Sequence, residues 1–433
     1  MAITIKGVEA FEILDSRGNP TVEVEMTAEI IKSFVINKTI KVKAQVPSGS
    51  STGKHEAYEL RDEDLGRYNG KGVKKAIENI ENILSKVLIG LDPSKQQKID
   101  RLMNALDGTK NKDNLGANAI LGLSMAIARL GAIDKGQELY EYIATLADTK
   151  TKIPRPFFNI INGGQHAGNK LAFQEFMVSP NLGKYNDNYR AATEIYQALK
   201  KILEKKYGGV ATLLGDEGGF APDDLNDPKE TLDLLMEAVK ESGYRGRVDF
   251  ALDVAASEFF ENGRYNLGFK SSEDNFKTVD EMIELYLDLV RNYPIISIED
   301  PFEENDYDAF AKLKDKLYGK RVRIVGDDLT ATNPERINTA ISKKSCDTLL
   351  LKINQIGTIS EAIEAFKIAK TALWEVMVSH RSGETNDDFI ADFSVGVGAG
   401  QVKFGAPARG ERVLKYNRLL TILRDIIKKN QKD

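Results

Sequence analysis

Apolar and polar residues alternate along two stretches near the start of the chain, 3–14 and 20–30, as in Thr21-Val22-Glu23-Val24-Glu25-Met26. A period of two puts one face of a strand on a core and the other toward solvent. Ser16-Arg17-Gly18-Asn19-Pro20 between them has the composition of a turn, and residues 34–46 can supply a third strand. After Gly72 the period lengthens to that of a helix, with Val73, Ile77, Ile80, Ile83, Leu84, Val87 and Leu88 recurring at helical spacing. A further helix fits the small and apolar residues of 114–131. The pattern predicts a smaller α+β domain over residues 1–145, a three-stranded antiparallel sheet followed by helices. Residues 148–156, which include Pro154 and Pro156, are the best linker.

From about residue 245 a different unit repeats: a short apolar run that ends in a charged or polar residue, then a helical segment. The runs are 249–253, 295–299, 323–327, 348–352, 376–380 and 401–403, with helical stretches at 279–291, 305–317, 335–343 and 359–371 between them. The ends recur roughly every 25–30 residues after a longer first interval, the length of a strand plus a crossover helix. Near-continuous apolar runs read as parallel strands covered on both faces. With room for two more strands between 155 and 245, the expectation for 146–433 is an eight-stranded (β/α) barrel. In such a barrel the C-terminal strand ends converge on one mouth, so Asp253, Glu299, Asp327 and Lys352 would meet there. Converging carboxylates repel and call for a cation, and oxygen ligands with open positions suit Mg²⁺.

Composition narrows the chemistry. Lys and Arg number 60 and Asp and Glu 65, a formal charge of −5 over 433 residues, which argues against a sequence-independent nucleic-acid binder. The single cysteine, Cys346, excludes an intramolecular disulfide, and only three histidines (His55, His166, His380) argue against a polyhistidine zinc centre and for carboxylate ligands. The first residues carry charges at Lys6, Glu9 and Glu12 and lack the apolar core of a secretion signal, and no unbroken run of 18 apolar residues appears, so no membrane span is expected. The expected compartment is the cytoplasm.

The motifs are similar to those of the enolase family along the whole chain. They include D-S-R-G-N-P-T-V-E-V at 15–24, P-S-G-S-S-T-G at 47–53, N-G-G-Q-H-A-G-N at 162–169, F-Q-E-F-M at 173–177 and G-D-E-G-G-F-A-P at 215–222. The barrel half adds A-L-D-V-A-A-S-E-F at 251–259, S-I-E-D-P-F at 297–302, V-G-D-D-L-T at 325–330, L-K-I-N-Q-I-G-T at 351–358 and S-H-R-S-G-E-T at 379–385.

The resemblance implies the glycolytic reaction, reversible dehydration of 2-phosphoglycerate to phosphoenolpyruvate, with two Mg²⁺ per active site. It implies Asp253, Glu299 and Asp327 as ligands of the tighter Mg²⁺, and Ser51, in the loop 48–53, as a ligand of the second. Asp327 matches by family position rather than Asp328; in a regular strand the two would face opposite sides. Lys352 matches the base that removes the C2 proton, which requires nearby cations to lower its pKa. Glu217 matches the general acid for the departing C3 hydroxyl and Glu175 its acidic neighbour, with His380 in the same motif set. His166, Gln174, Arg381, Ser382 and Lys403 match substrate-side positions, Arg381 and Ser382 at the phosphate.

The stretch 30–45 looks longer than the family's hairpin. The resemblance also implies a homodimer or homo-octamer, and is compatible with a secondary surface-binding role and a cell-surface or secreted pool. Racemases and cycloisomerases of the same superfamily share the barrel ligands but commonly carry a Lys-x-Lys base, where this chain has Gly215-Asp216-Glu217-Gly218-Gly219. A silent scaffold should have lost ligands, and all are present.

Overall fold

The structure, a computed structural model, describes residues 2–32, 35–49, 55–271 and 274–431. Strands β1 (Ala2–Leu14), β2 (Pro20–Lys32) and β3 (Val35–Gln45) form an antiparallel sheet in that order. The β2–β3 register runs from Glu23 opposite Gln45 to Lys32 opposite Val35, so the long stretch 30–45 is mostly strand. On one face of β2, Val22, Val24, Met26 and Ala28 are fully buried, the period-two pattern expressed as burial. Each of the larger three contributes roughly 1.5–3 kcal/mol by leaving water.

The helix Ala117–Lys135 lies on that face. Gly122 permits the close approach, since a Cβ there would stand 2.8 Å from Cγ2 of Val24. This helix is apolar and long enough to cross a membrane, but it is core: residues 117–128 are all buried. Helices Gln96–Asp107 and Leu139–Ala147, which the hydrophobic pattern did not single out, complete this cap.

The barrel follows. Its first strands are β4 (Arg155–Asn162), β5 (Glu175–Pro180) and β6 (Val248–Asp253). A minor sheet of β7 (Phe260–Glu261), β8 (Arg264–Asn266) and β9 (Phe276–Lys277) then interrupts the repeat. The remaining barrel strands are β10 (Ile295–Glu299), β11 (Arg323–Gly326), β12 (Thr348–Leu351), β13 (Glu375–Ser379) and β14 (Gln401–Lys403), with β14 closing onto β4. Phe157, Met177, Ala251, Val325, Leu350 and Met377 fill the interior, so the barrel is a packed core rather than a channel.

One feature departs from the all-parallel expectation. β5 runs antiparallel to both β4 and β6. The connection 163–174 contains a short turn of helix at Gly164–His166 but no crossover helix, so β5 can only return alongside β4 as a hairpin.

Cap and barrel are sewn together by buried polar contacts. Asp100 accepts from the backbone N–H (3.1 Å) and hydroxyl (2.6 Å) of Ser360, and Ser124 accepts from the N–H of Ile359 at 3.0 Å. Both contacts serve the first turn of the barrel helix Ile359–Thr371, whose N–H groups lack partners within the helix. Ser48 and Gly383 exchange backbone hydrogen bonds of 2.8 and 2.9 Å, which places the cap against the barrel mouth.

Candidate active site

The strands deliver their charged ends to one mouth. β6 ends at Asp253, β10 at Glu299 and β14 at Lys403, while Asp327, Lys352 and His380 are the first residues past β11, β12 and β13. The inverted β5 brings its beginning there instead of its end. Glu175, its first residue, pairs in register with Asp253 on one side and Asn162 on the other. A parallel β5 would have buried Glu175 at the opposite pole.

Lys403 is at the centre of the acidic group. Its buried Nζ lies 2.8 Å from Glu299, 3.2 Å from Asp253 and 3.4 Å from Glu175. Burial works against its charge, but the three carboxylates push its ammonium well above the usual lysine range. One ammonium does not balance them. Burial, then the charge of Asp253, pushes the Glu299 carboxyl well above its ordinary range, and Glu299 Oε2 is buried without a hydrogen-bond partner. Gln174 Nε2 reaches Asp253 at 3.4 Å.

Asp327 lies beside this group, 7% exposed, while Asp328 faces outward more. Asp327 accepts from Lys352 Nζ at 2.5 Å and from Gln355 Nε2 at 3.1 Å. Burial, Arg381 and Lys403 push the Lys352 ammonium down, yet its contact with Asp327 leaves it above its ordinary value. In this arrangement Lys352 is an acid rather than the base that the family match requires. Both Asp327 and Asp328 are held by their backbone: their N–H groups donate to the two oxygens of Asp300, at 3.0 and 2.6 Å. Asp300 itself is buried with φ at 40°, a left-handed conformation rare outside glycine.

Glu217 occupies the tip of a glycine-rich turn. A Cβ on Gly215 would lie 2.5 Å from the carbonyl oxygen of His166, so only glycine lets this turn pack against the His166 loop. Glu217 is buried, accepts from Asn159 Nδ2 at 3.0 Å, and lies 3.2 Å from His380 Nε2 and 3.6 Å from His166 Nδ1. His166 Nδ1 also stands 3.5 Å from Glu175. Arg412 fixes the state of His380. Its guanidinium, a donor only, meets His380 Nδ1 at 2.5 Å, so Nδ1 accepts and the ring proton is on Nε2, facing Glu217. Burial lowers the His380 pKa to about 4, so the ring is neutral at pH 7. Burial, followed by the charge of Glu217, pushes Glu175 well above the carboxylate range. Burial opposes the charge on Glu217, but the imidazoles of His380 and His166 and the Arg412 guanidinium hold it well below that range. The proton of this pair therefore rests on Glu175.

At the third side, Arg381 does not present a free guanidinium. It forks onto Glu56, with contacts of 2.9 and 3.2 Å, and also donates to Asn354 Oδ1 at 2.9 Å. Arg17 donates to the Ser382 hydroxyl at 3.4 Å and to the carbonyl of Gly49 at 2.7 Å. Arg412, fully buried on the C-terminal helix Gly410–Asn430, holds the carbonyls of Arg381 and Ser382 at 2.6 Å each. Asp300, Glu56 and Arg412 were not among the residues singled out from the sequence. Asp300 lies within the matched motif 297–302 and Glu56 just past the motif 47–53; Arg412 had no signal beyond its charge.

Among the described residues, two groups of acidic and histidine side chains bring ligand atoms within 4.8 Å of one another: His166 with Glu175 and Glu217, and Asp300 with Asp327 and Asp328. Lys403 stands between Asp253 and Glu299, and Lys352 pairs with Asp327, so lysines hold the carboxylates of the expected triad. Excess buried carboxylate and an orphaned Glu299 oxygen fit a divalent cation at this place. Ser51 lies outside the described residues.

A capped barrel whose mouth joins an acid pair, lysines and an arginine is the architecture of an enzyme that performs acid–base chemistry on a small anion. Comparison with known proteins makes this specific. The family model "Enolase, N-terminal domain" matches residues 5–143, and "Enolase, C-terminal TIM barrel domain" matches residues 150–432. The chain is 52% identical over 429 residues, 97% of its length and 95% of the relative's, to a protein of Mastigamoeba balamuthi named "Enolase". The chain belongs to the enolase family, the phosphopyruvate hydratases, which are lyases.

Proposed function

We propose that this chain catalyses the Mg²⁺-dependent, reversible dehydration of 2-phosphoglycerate to phosphoenolpyruvate, with Lys352 as base and Glu217 as acid. The observation that carries the reading is the arrangement of Lys352 and the Glu175–Glu217 pair as separate proton-handling groups around one acidic mouth. Asp253, Glu299 and Asp327 would hold the tighter Mg²⁺, and Ser51 would help hold a second. Bound there, the ions supply concentrated positive charge against the substrate carboxylate. Burial, Arg381 and Lys403 push the Lys352 ammonium down, the direction a base needs, against the charges of Asp327 and Glu299; cations that offset those two carboxylates would leave the downward influences to act. Lys352 then takes the C2 proton. At the other side the proton held on Glu175 is passed across the pair to Glu217, which delivers it to the leaving C3 hydroxyl. The neutral His380 donates to Glu217 after it has given the proton up. His166 and Gln174 bind on the substrate side, Arg381 and Ser382 receive the phosphate, and Lys403 offsets the substrate carboxylate.

We take residues 1–145 as the capping domain and 146–433 as the catalytic barrel, assembled as a homodimer or homo-octamer in the cytoplasm; light scattering distinguishes the two assemblies. The catalytic test is direct. Purified protein with Mg²⁺ should convert 2-phosphoglycerate to phosphoenolpyruvate; no turnover by the metal-loaded protein would end the assignment. Lys352→Ala should lose exchange of the C2 proton with deuterated water, whereas Glu217→Gln should lose dehydration and keep some exchange. Equal loss of exchange in both variants would overturn the division of roles.

A further inference from the structure

Arg381 is the one arginine that the family match assigns to substrate phosphate, and a side chain of the protein already fills its fork. Both oxygens of Glu56 meet the guanidinium, in the paired geometry by which arginine binds carboxylate or phosphate. The contact is not a loose surface pair. The two side chains are 6% and 7% exposed, and Glu56 also accepts from Gln355 Nε2 at 3.3 Å. The same Gln355 nitrogen donates to Asp327, so Glu56, Gln355 and Asp327 are linked side by side. Asn354 Oδ1 shares Nη1 of the Arg381 guanidinium with Glu56, and Asn354 is itself tied to the carbonyl of Pro47 at 3.3 Å. Asn354 thus keeps one anchor on Nη1 of the fork when Glu56 leaves, and Glu56 is the anionic member of the group that can be exchanged for another anion.

We propose that Glu56 is a specificity-determining residue: an internal carboxylate that occupies the phosphate position of Arg381 and is displaced by the substrate's phosphate. This rests on the reading of Arg381 given above. A phosphate dianion outcompetes the single negative charge of Glu56, whereas a carboxylate or other monoanion gains little by replacing it. The exchange thus selects phosphorylated substrates and lowers affinity for all anions by the free energy of the internal pair. Glu56 touches no reacting atom in this account and acts only through Arg381.

The test is calorimetric titration of the full-length protein with inorganic phosphate, alongside the KM for 2-phosphoglycerate. Glu56→Gln keeps the shape and removes the competing charge, so the Kd for phosphate should fall about tenfold, equivalent to about 1.4 kcal/mol. KM should fall in the same direction, and acetate should bind measurably only to the variant. The gain should vanish in an Arg381→Gln background, which a merely structural role for Glu56 would not predict. Unchanged or weaker phosphate binding by Glu56→Gln, in a variant whose melting temperature shows it folded, would overturn the proposal. Glu56→Ala gives a second reading free of the amide. Because phosphate binding is read without turnover, a protein inactive on 2-phosphoglycerate would refute the enolase reaction and leave the exchange at Arg381 separately decided.

Discussion

Asp300 shows how one side chain can act through the backbone of others. It directly follows Glu299, holds φ at 40°, and receives the N–H groups of both Asp327 and Asp328. A left-handed conformation at a non-glycine residue costs of order 1–3 kcal/mol, so its surroundings must hold it there. It sets where the chain turns after β11 and hence where the Asp327 carboxylate points. Asp300→Ala should therefore weaken Mg²⁺ binding about 10–100-fold in a calorimetric metal titration. Unchanged metal affinity in a folded variant would reduce Asp300 to a turn residue. The sequence carried the charged strand ends plainly, because an Asp, Glu or Lys at the end of an apolar run stands out against it. Asp300 is harder to read because its role lies in accepting two amide protons, for which no side-chain pattern exists. Glu56 follows a matched motif, but its role was hidden: its partner Arg381 is far away in the chain, and only folding brings them together.

At the scale of elements, the repeat of strand and helix was legible from residue 245 onward, but the direction of β5 was not. Glu-Phe-Met-Val-Ser-Pro reads as the same buried strand in either direction. The usable signal lay outside it, in a connection without the helix that a parallel return requires. The direction matters because it turns a strand's first residue, Glu175, into a partner of Glu217. The cap's attachment was also beyond the sequence. Arg129, on the helix Ala117–Lys135, holds Asp387 of the barrel with contacts of 2.7 and 2.9 Å. Burial opposes the Asp387 charge, but Arg129 and the N–H groups of Phe389 and Gln45 bring its carboxyl below the ordinary 3.8. A lowered acid stabilises the fold above its unfolded pKa and loses that contribution as pH falls through the folded value. Arg129→Met should thus cost about 2–4 kcal/mol near pH 7, because it leaves Asp387 buried and unpaired. The difference from the parent should shrink as pH falls from neutrality and be least below the folded value of Asp387, which lies under 3.8 and where the carboxyl is protonated in both, when denaturant unfolding is followed across pH. A pH-independent difference would show that packing rather than charge is lost.

For the whole molecule, a formal charge of −5 described the sum and hid the distribution. Lys352, Arg381 and Lys403 are gathered at one mouth, each engaged by a carboxylate of the protein. The balance of this mouth also depends on when each part is made. Glu175, Asp253 and Glu299 leave the ribosome long before Lys403, which arrives on β14, the strand that also joins β13 to β4. Until then a nascent chain has three clustered acids without their ammonium and two strand edges without a neighbour. Barrel closure and charge balance are thus completed by the same few residues, on the last of the barrel strands to be made. Chains stopped at residue 400 should remain sensitive to protease throughout the barrel, and chains extended through residue 431 should become resistant. Resistance already present at 400 would mean that the mouth tolerates its acids without Lys403.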